Sequence, residues 1–132
     1  MNGGKTMWLI DGVAMDMDSL KGNGPYSMAL PLNLNLNDLL FKYGVRINGD
    51  LIMDYQANSI PIVVGLQGDV PQQKLFPWFY NPLFIPKADH PITKNLDAIA
   101  CSFVSSIDTI INSSVKKTPL LYSSKSVSYT HL

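Results

Sequence analysis

Two carboxylates in this sequence have a type and spacing that could do chemistry. Asp11 and Asp54 each close a short apolar run that reads as a strand. Open α/β sheets bind ligands at the carboxyl ends of their strands, so these acids could bind a cation or serve an enzyme there. Acids in such positions more often cap a loop or a neighbouring helix, and we favour that structural role.

One imidazole and one thiol are the remaining candidates for catalysis. His90 stands before Pro91 in a pattern typical of a helix start, where a structural turn is more common than a ligand or base. Cys101 has Ile99 and Phe103 two positions away, whereas a nucleophile elbow needs small residues there. We therefore expect a buried core cysteine. The sequence has no phosphate loop or dinucleotide fingerprint, which argues against nucleotide binding. We assign no catalytic residue, cofactor or metal ligand from the sequence.

A proline-rich aromatic segment, residues 76–86, is the best candidate for a binding surface. Trp78, Phe79 and Tyr80 are consecutive within it. Proline at this density forbids a helix and disfavours a central strand, which predicts an extended, partly exposed edge segment. The three aromatic side chains either pack in the core or form a ligand or partner surface, since exposed aromatic patches mark interfaces.

The predicted strands and helices that must position these residues indicate an α/β fold. Residues 7–10 are continuously apolar between Gly3-Gly4 and Asp11-Gly12, which is typical of a central strand buried on both faces. The firmest helix spans residues 35–44, with Asn35 as its N-cap and Gly44 at its end. A turn is expected at residues 68–71 and a loop at 21–25. Further strands are predicted at 51–54, 60–66, 97–106 and 119–123, a helix start at 89–96 and a polar connector at 109–117.

Composition bounds the class of protein. The 132 residues suffice for one domain, and 46% hydrophobic residues can bury a core. Ten acids balance ten bases, so no net charge attracts nucleic acid. A single cysteine excludes an internal disulfide framework. No apolar run approaches the ~18 residues that a membrane span needs.

The order of several segments resembles a known family. These segments are 1–11, 39–48, 51–54, 77–83, 90–96 and 118–124. Together they look like the auxiliary component of the gliding-motility-associated ABC transporter (the GldG type) of Bacteroidetes. The resemblance extends to about Ser126, so we expect residues 1–126 to be a fragment of one α/β domain, incomplete at its N-terminus. Residues 127–132 look like a non-native tail and are expected to carry no structural weight.

The resemblance implies a fold, a location and partners. The family's soluble domain is similar to class I glutamine amidotransferases and has a flavodoxin-like, three-layer core. It is expected on the periplasmic side of the inner membrane, anchored by segments outside this chain. The permease and ATPase subunits of the transporter would be its partners, with an envelope protein or a glycan as a further ligand. The resemblance brings no catalytic residue to any position here.

Three functions follow as hypotheses. The first is a non-catalytic, substrate-binding-like auxiliary domain of a membrane ABC transport complex. The alternative is an amidotransferase-like or sugar-processing enzyme domain, which requires Asp11, Asp54 or His90 to converge at the carboxyl edge of the sheet. The third is a two-lobed small-molecule binding protein, for which this chain is short.

Overall fold

The computed structural model describes residues 3–18, 27–111 and 114–131. Strands dominate this part of the chain, and each strand pair found within it is antiparallel. The loop predicted at 21–25 lies outside the described residues. In chain order the elements are β1 (Val13–Ala14), β2 (Leu30–Pro31), α1 (Asn37–Lys42), β3 (Val45–Ile47), β4 (Asp50–Asp54), β5 (Ala57–Gln67), β6 (Val70–Pro86), β7 (Ile99–Ala100), β8 (Ile107–Thr109), β9 (Leu121–Tyr122) and β10 (Val127–His131).

The core is small and lies around β4. Leu51 of β4 is 5% exposed and packs in one cluster with Val13 of β1 and with Phe103. Tyr80 of β6 packs against this cluster from the next sheet. The predicted strand at 51–54 is confirmed, and its continuous apolar run reflects burial on both of its faces.

The longest element is the hairpin of β5 and β6. Gln67 pairs with Val70 across the two-residue turn Gly68-Asp69, and Gly68 takes a φ of +63°, which glycine adopts without steric cost. This confirms the predicted turn and the strand at 60–66. Beyond residue 60 of β5 and before residue 78 of β6, the side chains are exposed. We call residues 61–77 the arm.

The predicted helix is confirmed, although it is shorter and starts differently. α1 begins after Leu36, which makes no side-chain capping bond, and Asn35 instead has a φ of +53°. The expected Asn35 cap is therefore wrong. Gly44 follows the helix with a φ of +75°, as its predicted role at the end of the helix requires.

The opening strand predicted at residues 7–10 is wrong. These residues have no regular secondary structure, and Met7 and Leu9 are 85% and 86% exposed. An apolar run becomes a central strand only when neighbouring strands and covering layers bury it, and none of the described residues does so.

The second half of the chain also differs from its predicted elements. Residues 91–95 form consecutive turns rather than a helix. The strand expected at 97–106 shrinks to β7, because Phe103 has a φ of +54°, which a strand cannot contain. The strand β8 lies between this predicted strand and the predicted connector, which it overlaps only at Thr109, and it pairs with β3. The last predicted strand survives as β9, which pairs with β6.

Residues 127–131 carry structural weight, contrary to expectation. Val127 pairs with Asp54 and His131 with Asp50, so β10 covers the full length of β4. Backbone pairing needs only an extended segment beside a free strand edge, and the sequence of the added strand matters less. That these residues are a non-native tail stays a prediction.

Gly12→Ala should destabilise the fold by about 1–3 kcal/mol, through overpacking. A Cβ at Gly12 would lie 2.5 Å from Ser105 Oγ and 3.0 Å from Ile47 Cγ2. The matched control is Gly65→Ala, where nothing lies within 4 Å of the added carbon. Urea unfolding measures both variants, and equal midpoints would contradict the close packing at Gly12.

Candidate functional site

Asp54, at the carboxyl end of β4, holds a loop in place through hydrogen bonds. Its carboxylate is 1% exposed. The Ser124 N–H donates to Oδ2 at 2.7 Å, and the Ser124 hydroxyl donates to Oδ1. The Gln56 N–H donates to Oδ1 at 2.9 Å. These bonds join β4 to the segment that leads into β10, which is the structural role we favoured for this acid.

Asp50 makes the same kind of clamp at the other end of β4. It is 2% exposed and accepts the Ser106 N–H on Oδ1 at 2.8 Å and the Ser106 hydroxyl on Oδ2 at 2.6 Å. Asn48 donates to the same hydroxyl at 2.8 Å. Sequence reasoning missed this clamp, although the spacing of Asp50 and Asp54 places both on one face of the strand.

The hydrogen bonds decide the charge state of Asp54. Burial by itself raises the pKa of this carboxyl. The Ser124 hydroxyl and the Gln56 and Ser124 N–H groups stabilise the ionised form more strongly, and they hold the pKa below the usual 3.8. Asp54 is therefore an ionised acceptor with its oxygens occupied.

Asp11 does not lie at the carboxyl end of a strand, which its predicted role as a cation ligand or catalytic acid requires. It is exposed, and it precedes β1 in a stretch without regular structure rather than closing a strand. Asp11 therefore does not share a strand end with Asp54. Within the described residues, no group of three histidine, cysteine or acidic side chains is placed to hold a metal ion.

His90 lies in the turns after β6 and supports them. Its Nδ1 accepts the Ile92 N–H at 3.3 Å, and its carbonyl accepts the Thr93 N–H at 3.0 Å. Thr93 is 3% exposed and donates its hydroxyl to the Lys87 carbonyl. These contacts are those of a structural turn, and a role for His90 as ligand or base stays a prediction.

Cys101 has the environment of a packed thiol. Its side chain is partly buried, and burial raises the pKa of the thiol above its usual value. Its N–H donates to the Pro82 carbonyl at 3.1 Å, next to the β6–β7 pairing. A raised pKa lowers the fraction of thiolate, which is the nucleophilic form.

The three consecutive aromatic residues divide between the two faces of β6. Trp78 and Tyr80 face the core, with ring centroids 6.0 Å apart, and Tyr80 lies 6.3 Å from Phe103. Phe79 points to the other face, is 40% exposed and lies 5.3 Å from the ring of Tyr55. Trp78 and Tyr80 therefore follow the core-packing alternative, whereas a ligand or partner surface at Phe79 stays a prediction. The segment is extended as predicted, but Leu83 and Phe84 pair with β7, so this part is not an edge.

A groove of about 420 Å³, lined by both apolar and polar groups, lies beside α1. Four segments line it: residues 10–12, residues 31–36, the helix and the region of β3. A smaller hollow of about 290 Å³, with Trp8 in its wall, shares Leu40 and Val45 with the groove. Sequence reasoning missed the groove, because its walls meet only in the folded chain.

A family model places the chain among transport proteins. The model of the ABC-type uncharacterized transport system matches residues 1–130, and the chain belongs to this family. The family indicates an auxiliary component of an ABC-type transport system. No curated protein and no solved structure matches the chain. None of the helices in the described residues has the length and apolar character needed to cross a membrane.

Asp54→Asn should lower the free energy of unfolding by about 2–4 kcal/mol, because an amide brings its own N–H groups against the donors of Ser124 and Gln56. The folded-state pKa of Asp54 is lowered. Its stabilisation is thus complete above the unfolded-state pKa and is lost as the pH falls through the folded-state value.

Urea unfolding between pH 3 and pH 7 tests this clamp. Wild type should lose stability toward pH 3, and Asp54→Asn should lose less over the same range. Asp97→Asn is the control, because Asp97 is exposed. Parallel pH profiles for wild type and Asp54→Asn would show that folding does not lower the pKa of Asp54.

Cys101 should react with iodoacetamide at pH 8 several times more slowly in the folded chain than in urea, because burial raises its pKa and limits access. Mass spectrometry of the alkylated chain measures both rates. A folded-state rate above that of the unfolded chain would indicate an activated thiol instead.

Proposed function

We propose that this chain is a non-catalytic, substrate-binding-like domain of the auxiliary component of a membrane ABC transport complex, with the permease and ATPase subunits as its partners. The family match over residues 1–130 carries the proposal. The resemblance of the ordered segments supports a GldG-type system of gliding motility in Bacteroidetes, with the domain on the periplasmic side of the inner membrane and a flavodoxin-like core in the whole soluble domain.

The candidate catalytic groups support a role without chemistry. The amidotransferase-like alternative needs acids free to move protons at a common edge. Asp54 is buried with its oxygens accepting hydrogen bonds, while Asp11 is exposed on an irregular segment. We therefore propose that neither acid acts in catalysis.

The arm supports a role in binding another subunit. Its exposed side chains are largely apolar, with Leu66 71%, Val70 62% and Leu75 67% exposed. Asp69 and Lys74 are the charged residues of the segment. A two-stranded ribbon is marginally stable alone, and an exposed apolar surface of this kind is typical of an interface.

Prolines favour docking through the faces of the arm rather than its edges. Pro61 and Pro77 pair with Leu75 and Ser59, and Pro71 pairs with Leu66. A proline has no N–H to donate, so each one removes a donor that an added strand would need. The arm is thus protected against edge pairing while its apolar faces stay available.

Leu66→Asp should reduce the recovery of permease and ATPase subunits roughly tenfold when the tagged auxiliary protein is purified from native membranes, because a charge in an apolar interface is left unpaired. Quantitative mass spectrometry of the purified complex measures the recovery.

Ile111→Asp is the matched control, since Ile111 is 94% exposed and lies outside the arm. Equal recovery from Leu66→Asp and the control would exclude the arm as the interface. Absence of both subunits from the wild-type preparation would overturn the proposed function itself.

A further inference from the structure

The groove beside α1 combines apolar side chains and polar groups with one cation. Leu32, Leu36, Leu40 and Phe41 form much of its surface. Its volume of about 420 Å³ falls within the ~300–1,000 Å³ of small-ligand pockets. Leu36 and Leu40 are only partly buried and Phe41 is 63% exposed, so water now covers surface that a ligand would protect.

Arg46 of β3 is the one charged residue among the described residues that line the groove. The acid opposite it in the strand register is Asp108. Asp108 Oδ2 accepts a hydrogen bond from Asn48 Nδ2 at 3.0 Å, and the described part of the chain shows no ion pair to Arg46 within 4.0 Å. The guanidinium is therefore available to an anionic group, which its planar donors bind well.

Few of the polar groups that line the groove belong to side chains. Besides Arg46, the side chains of Asn37 and Asn48 are the polar ones in its lining, and Asn48 is already engaged with Ser106 and Asp108. A peptide backbone would bury N–H and C=O groups against Leu and Phe side chains without partners, at a cost for each group. An alkyl chain has no such groups.

We propose that this groove binds a single-chain anionic amphiphile, with the alkyl chain along α1 and the anionic head at Arg46. The carboxylate of a fatty acid and the phosphate of an alkyl phosphate share the required chemistry. This inference names a ligand class for the substrate-binding-like role proposed above. It rests on that role only for its biological meaning.

The test is a titration of the chain with decanoate, decyl phosphate and decyltrimethylammonium below their micelle concentrations. Calorimetry measures binding, and tryptophan fluorescence, to which Trp8 at the adjoining hollow and Trp78 both contribute, gives a second readout. Decanoate, decyl phosphate or both should bind, and the cation should bind at least tenfold more weakly. The stronger of the two anions identifies the head group.

Three variants make the result specific. Arg46→Gln should weaken anion binding roughly tenfold, as expected for loss of one charge-assisted pair. Lys42→Gln, on α1 but outside the lining, should leave binding unchanged. Leu40→Asp should abolish binding, and circular dichroism establishes that each variant is folded.

Equal affinity for the cation and the anions, an unchanged affinity in Arg46→Gln, or no binding to the folded wild type would each overturn the inference. Subunit recovery from membranes is a separate measurement. Failure of amphiphile binding with intact recovery would remove the ligand class alone, and loss of recovery with intact binding would remove the transporter role alone.

Discussion

Two buried carboxylates at the ends of β4 are the constraint on which the rest of the structure depends. An unpaired carboxylate in an apolar interior is expensive, so Asp50 and Asp54 stay buried only because Ser106 and Ser124 saturate them. Those serines belong to distant segments. Each clamp therefore fixes a long loop onto the strand, and the small core around Leu51 forms between the anchored segments.

The core anchors the elements that carry the exposed apolar surface. Tyr80 contacts the core cluster, and the same strand continues outward into the arm. The helix α1 has no buried residue and borders the groove. Two different surfaces result, an exposed apolar ribbon and a concave groove of mixed polarity. Membership of an ABC transport family gives both a context, since an auxiliary component must contact other molecules.

The local sequence determined those elements whose stability is local. Gly68 and Gly44 can adopt left-handed backbone without steric cost, and this freedom predicts the hairpin turn and the helix end. The apolar runs at 51–54 and 60–66 predict strands without any knowledge of their tertiary contacts. Residues 7–10 have the same composition but no strand beside them, so the same pattern leads to an exposed, irregular segment.

The sequence by itself determined the class of the candidate residues: it indicated that Cys101 is not an elbow nucleophile and that Asp54 ends a strand. Tertiary structure alone decided the partners of these groups. The Asp54–Ser124 and Asp50–Ser106 bonds join residues 70 and 56 positions apart, and Arg46 meets the groove only through packing of four segments. Contacts at such separations depend on the register of the whole chain, which no local pattern encodes.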